Sequence, residues 1–416
     1  MDKKRTGLWI IGAWGGVATT AAIGLLNLQQ KNVSTVGLTT ELPDFASEEM
    51  PSWTDFDLSG YEIRQCSFAQ AADDLIQQKA LEPYVVTPVL PELQTLDARI
   101  LPGFLANSGE VVEKMADRKR EDVGTPCQMI AAVKSDLARY VREQNLGHVI
   151  VVNLMSTEPV CAYFQERYNA ALSETERARR QSEWLHWESM SEMLETENGA
   201  QLPASTLYAI AALESGYDFI NFTPSLGATP PALEELAKQT HSRFFGNDGK
   251  TGETLMKSVL APMFAHRNLE VMSWVGHNIF GNRDGIVLDD PRNKATKVAS
   301  KSHLLTQILG YEPQTLVSIE YIKSLGDWKT AWDHIHFRGF LSTPMTLQFT
   351  WQGCDSLLAA PLVLDLVRLT ELAHRRGFIG KMDFLACFFK SPIGVEEQGF
   401  VRQFEQLETW IHGEKK

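Results

Sequence analysis

The sequence predicts an α/β protein in two parts, a body of alternating strands and helices interrupted by a smaller α+β segment. Two observations carry that expectation. As far as Thr254, short apolar runs (LWII, HVIVV) and the strand-like DFINF alternate with helical stretches, as buried parallel strands do in doubly wound sheets. From Leu255 to Gly353 the texture changes to EVMSWVGH, LVSIEYIKSL and PMTLQFTWQ, rich in β-branched and aromatic residues, which read as an antiparallel sheet with one or two helices. SLLAAPLVLDLVRLTELAHRRG, after Asp355, is helical again and returns the chain to the first part. The expected division is residues 1–254 with 356–416 for the larger domain and 255–355 for the smaller. A chain of 416 residues, 44% of them hydrophobic, can bury two such cores.

The first element, LWII, runs into GAWGGVATT and an Ala/Leu-rich helix. Gly12, Gly15 and Gly16 stand where strand meets helix, so backbone N–H groups and the helix dipole can face a pyrophosphate; a merely tight turn explains them equally well. The spacing departs from GxGxxG, with Ala18 where a third small residue would pack. VSTVGL reads as the second strand, followed by Thr39, Thr40 and Glu41, with Glu41 at the right separation for a ribose partner or simply a solvated loop residue. A loop-rich stretch to Leu105 and a helix over Met129–Gln144 precede HVIVVNLMSTEP, whose exit offers Asn153, Ser156, Thr157 and Glu158 as a nicotinamide rim. Ser173–Glu197 is charged and helical. DFINFTPS puts Asn221 and Pro224 at another strand exit, Pro230 and Pro231 open a helix, and FFGNDGKTGET repeats the strand, glycine turn and helix. Thr251 and Gly252 at that helix start could offer donors to a phosphate.

Charge and cysteine use exclude several classes. A net charge of −13 argues against a nucleic-acid or anionic-membrane partner, so an anion site must be a local basic pocket. Cys66, Cys127, Cys161, Cys354 and Cys387 form no CxxC pair, which indicates neither a disulfide frame nor a structural metal. The apolar start lacks a cleavage site and is too rich in Gly and Thr for a signal peptide or a span; a cytoplasmic protein is expected.

Lysines then concentrate. In KATKVASKS a helix would put Lys297 and Lys301 on one face with Lys294 a turn away, and a solvated stripe is the plainer account. Their company is informative: GNRDG supplies Asn282 and Asp284, GDWK supplies Asp327 and Lys329, CDSLLAAP supplies Asp355, and Lys390 ends the apolar run before FFKSP closes. Desolvation or neighbouring cations could make such a lysine a base; snorkelling is the alternative for Lys390.

GNDGKTGET, GNRDG, TKVASKS, GDWK, CDSLLAAPL and FFKSP, in this order and with GAWGGVATT and DFDLSGYEI upstream, resemble the myo-inositol-1-phosphate synthase family from Gly7 to Gly394. The resemblance implies an NAD-binding Rossmann domain with an inserted catalytic and tetramerising α+β domain. It also implies isomerisation of D-glucose 6-phosphate to 1D-myo-inositol 3-phosphate through oxidation at C5, enolisation, aldol closure and reduction by the same cofactor. Asp248, Lys297, Lys301, Lys329, Asp355 and Lys390 occupy positions similar to the family's active-site residues, with Asp284 beside them. It implies that Lys297 and Lys390 serve proton transfer, Lys301 and Lys329 hold the phosphate and C1 oxygen, and Thr251, Gly252 and Glu253 complete a phosphate site. Cofactor contacts are expected from Gly12, Ala13, Trp14, Gly15, Gly16, Val17, Thr39, Asn153, Ser156, Thr157, Asn221, Asp248, Asn282, Asp327, Asp355 and Ser356. No protein-held metal is expected, although Asp248 and Asp284 could contribute to a monovalent or divalent cation site. Two departures stand out: Glu253 replaces a glutamine beside the phosphate, and Trp14 is bulky for a glycine loop. A cyclase for another sugar phosphate, a sugar-phosphate dehydrogenase and a non-catalytic NAD sensor are the competing readings.

Overall fold

The computed structural model describes residues 4–47, 49–282 and 304–413. Its larger sheet is parallel, in the order β11-β6-β5-β4-β1-β2-β3: Thr6–Ile11 (β1), Phe56–Glu62 (β2), Ile100–Pro102 (β3), His148–Asn153 (β4), Asp218–Asn221 (β5), Arg243–Gly246 (β6) and Gly380–Lys381 (β11). β1 lies between β2 and β4, so the chain reverses its winding there. That switch point opens a crevice at the strands' carboxyl ends, the place where open α/β sheets bind ligands. β1, β2 and β4 are buried throughout, which explains the unbroken apolar runs of β1 and β4.

Helix Gly16–Gln30 follows β1 and packs lengthwise on helix Asp355–Arg375, placing Ala18, Ala21, Ala22 and Leu25 in one core with Val363, Leu364 and Val367. Residues more than 300 positions apart in sequence thus share one layer, and the returning C-terminal helix completes the first domain. On the other face, helices Pro126–Gln144 and Ala204–Glu214 cover the sheet.

The smaller sheet has the order β10-β9-β7-β8: Glu270–Phe280 (β7), Gln314–Tyr321 (β8), Trp328–Arg338 (β9) and Pro344–Cys354 (β10). It is mixed, not purely antiparallel as expected, because β7 and β8 run parallel. β9 went unread in the sequence. Its inward positions are Ala331, Asp333, Ile335 and Phe337, its outward ones Trp332, His334 and His336, so an aspartate inside and a tryptophan outside break the alternation. Oδ1 of buried Asp333 accepts from the Trp274 indole at 2.7 Å. Helix Gly252–His266 covers this sheet and crosses the expected boundary at residue 254.

At the amino ends of the strands, away from the crevice, His148 meets Asp218 at 2.7 Å, Asp218 also accepts from Arg243 at 2.7 Å, and His374 stacks on His148 at 3.8 Å. These three His and Asp side chains could group around a metal. Parallel rings cannot both direct lone pairs at one ion between their planes, and Arg243 already shares the carboxylate, so the cluster is an ion-pair network. Burial, then the charge of His148 and Arg243, pushes His374 down to about 4 from 6.5. Between those values the unfolded chain binds the extra proton, so this stability is present above pH 6.5 and lost as pH falls toward 4. His374→Gln should flatten the pH dependence of the urea midpoint in that window; an unaltered slope would refute the assignment.

Candidate functional site

A cavity of about 610 Å³ opens over the switch point, lined by Gly12, Trp14, Gly15, Gly16 and Val17 from the glycine turn and by Ser156, Thr157 and Glu158 beyond β4. Gly12 has φ +87°, and a Cβ there would lie 2.9 Å from the Leu154 carbonyl, so the turn requires glycine. The N–H groups of Gly12 and Ala13 both donate to the Tyr61 carbonyl, that of Gly15 to Gly12, and that of Trp14 to Glu62. Gly12, Ala13 and Gly15 therefore shape the turn; the donors left for an anion are the first-turn N–H groups of Gly16, Val17 and Ala18. Trp14 is buried, with its indole donating to Asp97 at 2.8 Å and Arg118 over its ring, which accommodates its bulk.

Glu62, at the carboxyl end of β2, is the acid the sequence reading missed. It accepts from the N–H of Trp14 and of Ile63 and pairs with Arg64 at 3.0 Å, on the cavity wall where a ribose-binding acid belongs. VSTVGL is turn rather than strand, which displaced the assignment. Glu41 instead pairs with Arg368 and accepts from Trp53, while Thr39 donates its N–H to Asp365 at 2.7 Å and does not line the cavity. DFDLSGYE carried the true signal: a run with polar residues inside it that ends on an acid.

The smaller sheet supplies the second wall. Asp327, just before β9, lines the cavity and accepts from Cys354 Sγ at 2.5 Å, Ser356 N at 2.9 Å, Ser356 Oγ at 3.0 Å and Asn282 Nδ2 at 3.1 Å. A Cβ on Gly16 would sit 2.3 Å from Ser356 Oγ, so this wall touches the start of the glycine helix. Burial raises the Asp327 carboxyl, and burial together with Asp327 holds the Cys354 thiol protonated as the donor. Asp355 lines the cavity and lies 3.7 Å from Lys329, whose ammonium also faces the Phe280 ring.

At the far end, Lys390 Nζ donates to Asp248 Oδ1 at 2.8 Å, and both residues line the cavity with Thr251. Backbone pairing sets this contact: Asn247 N–H to Ser391 O, Lys390 N–H to Asp248 O and Lys250 N–H to Phe388 O lace the two loops together. Asp248 lies in the left-handed region at φ 62°, and its Oδ2 is buried with no hydrogen-bond partner among the described residues. A non-glycine residue held there is a common mark of functional sites.

Glu158 is buried against the cavity and accepts from Ser205 N–H and Oγ–H; burial raises its carboxyl to about 7. Asn153 and Asn221, expected at the cofactor, are buried and do not line the cavity. Asn153 donates to Asn221 and Thr223, and Asn221 to the Ser225 carbonyl and Asn247, a ladder that holds the three strand-exit loops. Glu253 turns into the small-domain core, 2.6 Å from Lys257 and accepting from Asn278, and neither it nor Gly252 lines the cavity. Asp284, Lys294, Lys297 and Lys301 lie outside the described residues.

Comparison with known proteins places these features in context. The model of the myo-inositol-1-phosphate synthase family matches residues 252–356. Inositol-3-phosphate synthase 1 of Bacteroides thetaiotaomicron is 30% identical over 410 residues, covering 94% of this chain and 90% of that protein. The human protein of that name is 29% identical over 396 residues, and the alignment spans 66% of its length. Among solved structures, inositol-3-phosphate synthase of Caenorhabditis elegans superposes with a TM-score of 0.82 at 24% identity, over 99% of this chain and 86% of that one. A synthase-related protein of Thermotoga maritima gives 0.75 at 24%, over 98% of both chains.

Proposed function

This chain belongs to the myo-inositol-1-phosphate synthase family, and on that premise we propose that it converts D-glucose 6-phosphate to 1D-myo-inositol 3-phosphate. The observation that carries the reading is one cavity with a nucleotide-type glycine turn at one end and the Lys390–Asp248 pair at the other. The residues present fit NAD: Gly16 and Val17 offer N–H groups to a pyrophosphate, Glu62 an acceptor to ribose hydroxyls, and Ser156 and Thr157 a polar rim for the nicotinamide. Held by these residues, NAD would supply a reversible hydride acceptor, so that the isomerisation would carry no net redox change.

The chain supplies position and protons. Lys390, held by Asp248, moves protons at the C5 hydroxyl and C6, and Lys329 faces developing negative charge. Thr251, on the cavity wall, faces the substrate phosphate. Lys297 and Lys301 complete the set in this reading. The inward turn of Glu253 removes the repulsion that favoured a different substrate. The open face of the smaller sheet, with Leu316 54% exposed, is proposed to join copies into a tetramer. No described helix is long and apolar enough to cross a membrane; a cytoplasmic location is part of the proposal, as is an assisting cation.

Glucose 6-phosphate with substoichiometric NAD+ should yield inositol phosphate over many turnovers by phosphorus and proton NMR, without lasting NADH absorbance. Stoichiometric NADH with an oxidised sugar would mean a dehydrogenase, and tight NAD+ binding with no turnover of any sugar phosphate a sensor. Glu62→Ala should raise the Kd for NAD+ roughly 10- to 100-fold, the loss of charge-assisted hydrogen bonds; an unchanged Kd would remove Glu62 from the ribose site.

A further inference from the structure

The cavity's second wall belongs to the smaller domain, yet a residue of the larger one holds it. Gln78 caps helix Phe68–Gln77, which follows β2. Its Oε1 accepts the backbone N–H of Asp327 at 2.6 Å, and its carbonyl accepts the Trp328 indole N–H at 3.0 Å. Between β8 and β9 the chain turns through Gly326, at φ +57°, where a Cβ would lie 2.5 Å from Gln78 Oε1. The turn thus closes directly on the Gln78 side chain. Gly326 also accepts from Gly281 at 2.9 Å, so the end of β7, with Asn282, is registered against the same turn.

We propose that Gln78 is a positioning residue that clasps the Gly326–Trp328 turn and fixes Asp327, and through it Ser356, over the glycine helix. The inference rests on the reading above that this cavity holds NAD. Everything downstream follows from one acceptor. Asp327 N–H is anchored from below, so its carboxylate is free to gather Cys354, Ser356 and Asn282 at once. Asp355 N–H then donates to the Asp327 carbonyl at 3.2 Å, which seats the start of helix Asp355–Arg375 beside Gly16. Gln78 itself lines the cavity and is half-buried, so removing its amide opens no large void.

Gln78→Met keeps the side-chain length and loses the acceptor; Gln78→Glu keeps the acceptor. Hydrogen exchange on the cofactor-free protein reads the clasp directly. In Q78M the Asp327 amide should exchange at least about ten-fold faster, the scale of one lost hydrogen bond, with β4 unchanged, and Q78E should restore slow exchange. The Kd for NAD+ of Q78M should rise about ten-fold by calorimetry. Unchanged exchange at Asp327, faster exchange throughout the molecule including β4, or no restoration by Q78E overturns the clasp. A wild type that binds NAD+ and a Q78M that binds it equally tightly overturn the positioning role alone. A wild type that does not bind NAD+ overturns the parent reading, and the positioning role with it.

Discussion

Replacing Lys390 with alanine lowers kcat at least about a thousand-fold, within the range that a positioned proton-transfer group contributes, and leaves the Kd for NAD+ within about three-fold. The ammonium sits on Asp248 at the end of the cavity remote from the glycine turn, so in the proposed reading chemistry and cofactor binding separate in space. Asp248→Asn should cost less, because the lysine remains while its orienting charge is gone. Single-turnover NADH formation and equilibrium binding measure the two effects. A K390A enzyme with turnover near wild type would remove Lys390 from the chemistry and leave Lys329 as the described lysine to test next.

Glu253→Ala destabilises the protein by about 3–5 kcal/mol, the usual result of stripping one partner from a buried ion pair. Lys257, 1% exposed, would keep its charge with no carboxylate at 2.6 Å, beside the Trp274 ring. Removing both charges together, as Glu253→Gln with Lys257→Met, should cost far less than the alanine variant, because no buried charge is stranded. Urea unfolding decides this. The same double variant should leave the KM for sugar phosphate within about two-fold, since Glu253 faces the core; a ten-fold fall would mean that the carboxylate does repel the substrate.

Elements whose apolar pattern matched their burial were legible in advance. β1, β4 and β5, the helix after Pro230 and the texture change into the smaller domain all fall in this class. What failed had a physical cause in each case. β2 carries Asp57, Ser59 and Glu62 buried among partners from other elements, Arg99 and Tyr140 on Asp57 and Arg64 on Glu62, so it looked like a loop, and VSTVGL took its place. Asn153 and Asn221 were found at the right strand ends, but strand periodicity cannot say whether a terminal side chain faces a ligand or the neighbouring loop. Glu253 sits one residue into a helix whose start faces the site, and one residue's rotation along the helix turns it inward. The Asp248–Lys390 contact joins residues 142 positions apart, a pairing that only the returning C-terminal segment creates.

That separation has a consequence in time. A ribosome adding about 5–20 residues each second needs on the order of ten seconds to travel from Asp248 to Lys390. For most of that interval the glycine turn lacks its supporting helix, Asp355–Arg375, and for all of it Asp248 awaits its lysine. In the proposed reading, a product of translation interrupted there therefore lacks the proton-transfer pair and, before Arg375, the helix behind the glycine turn. In the proposed reading the site is completed late, when the segment carrying Lys390 docks on the loop of Asp248.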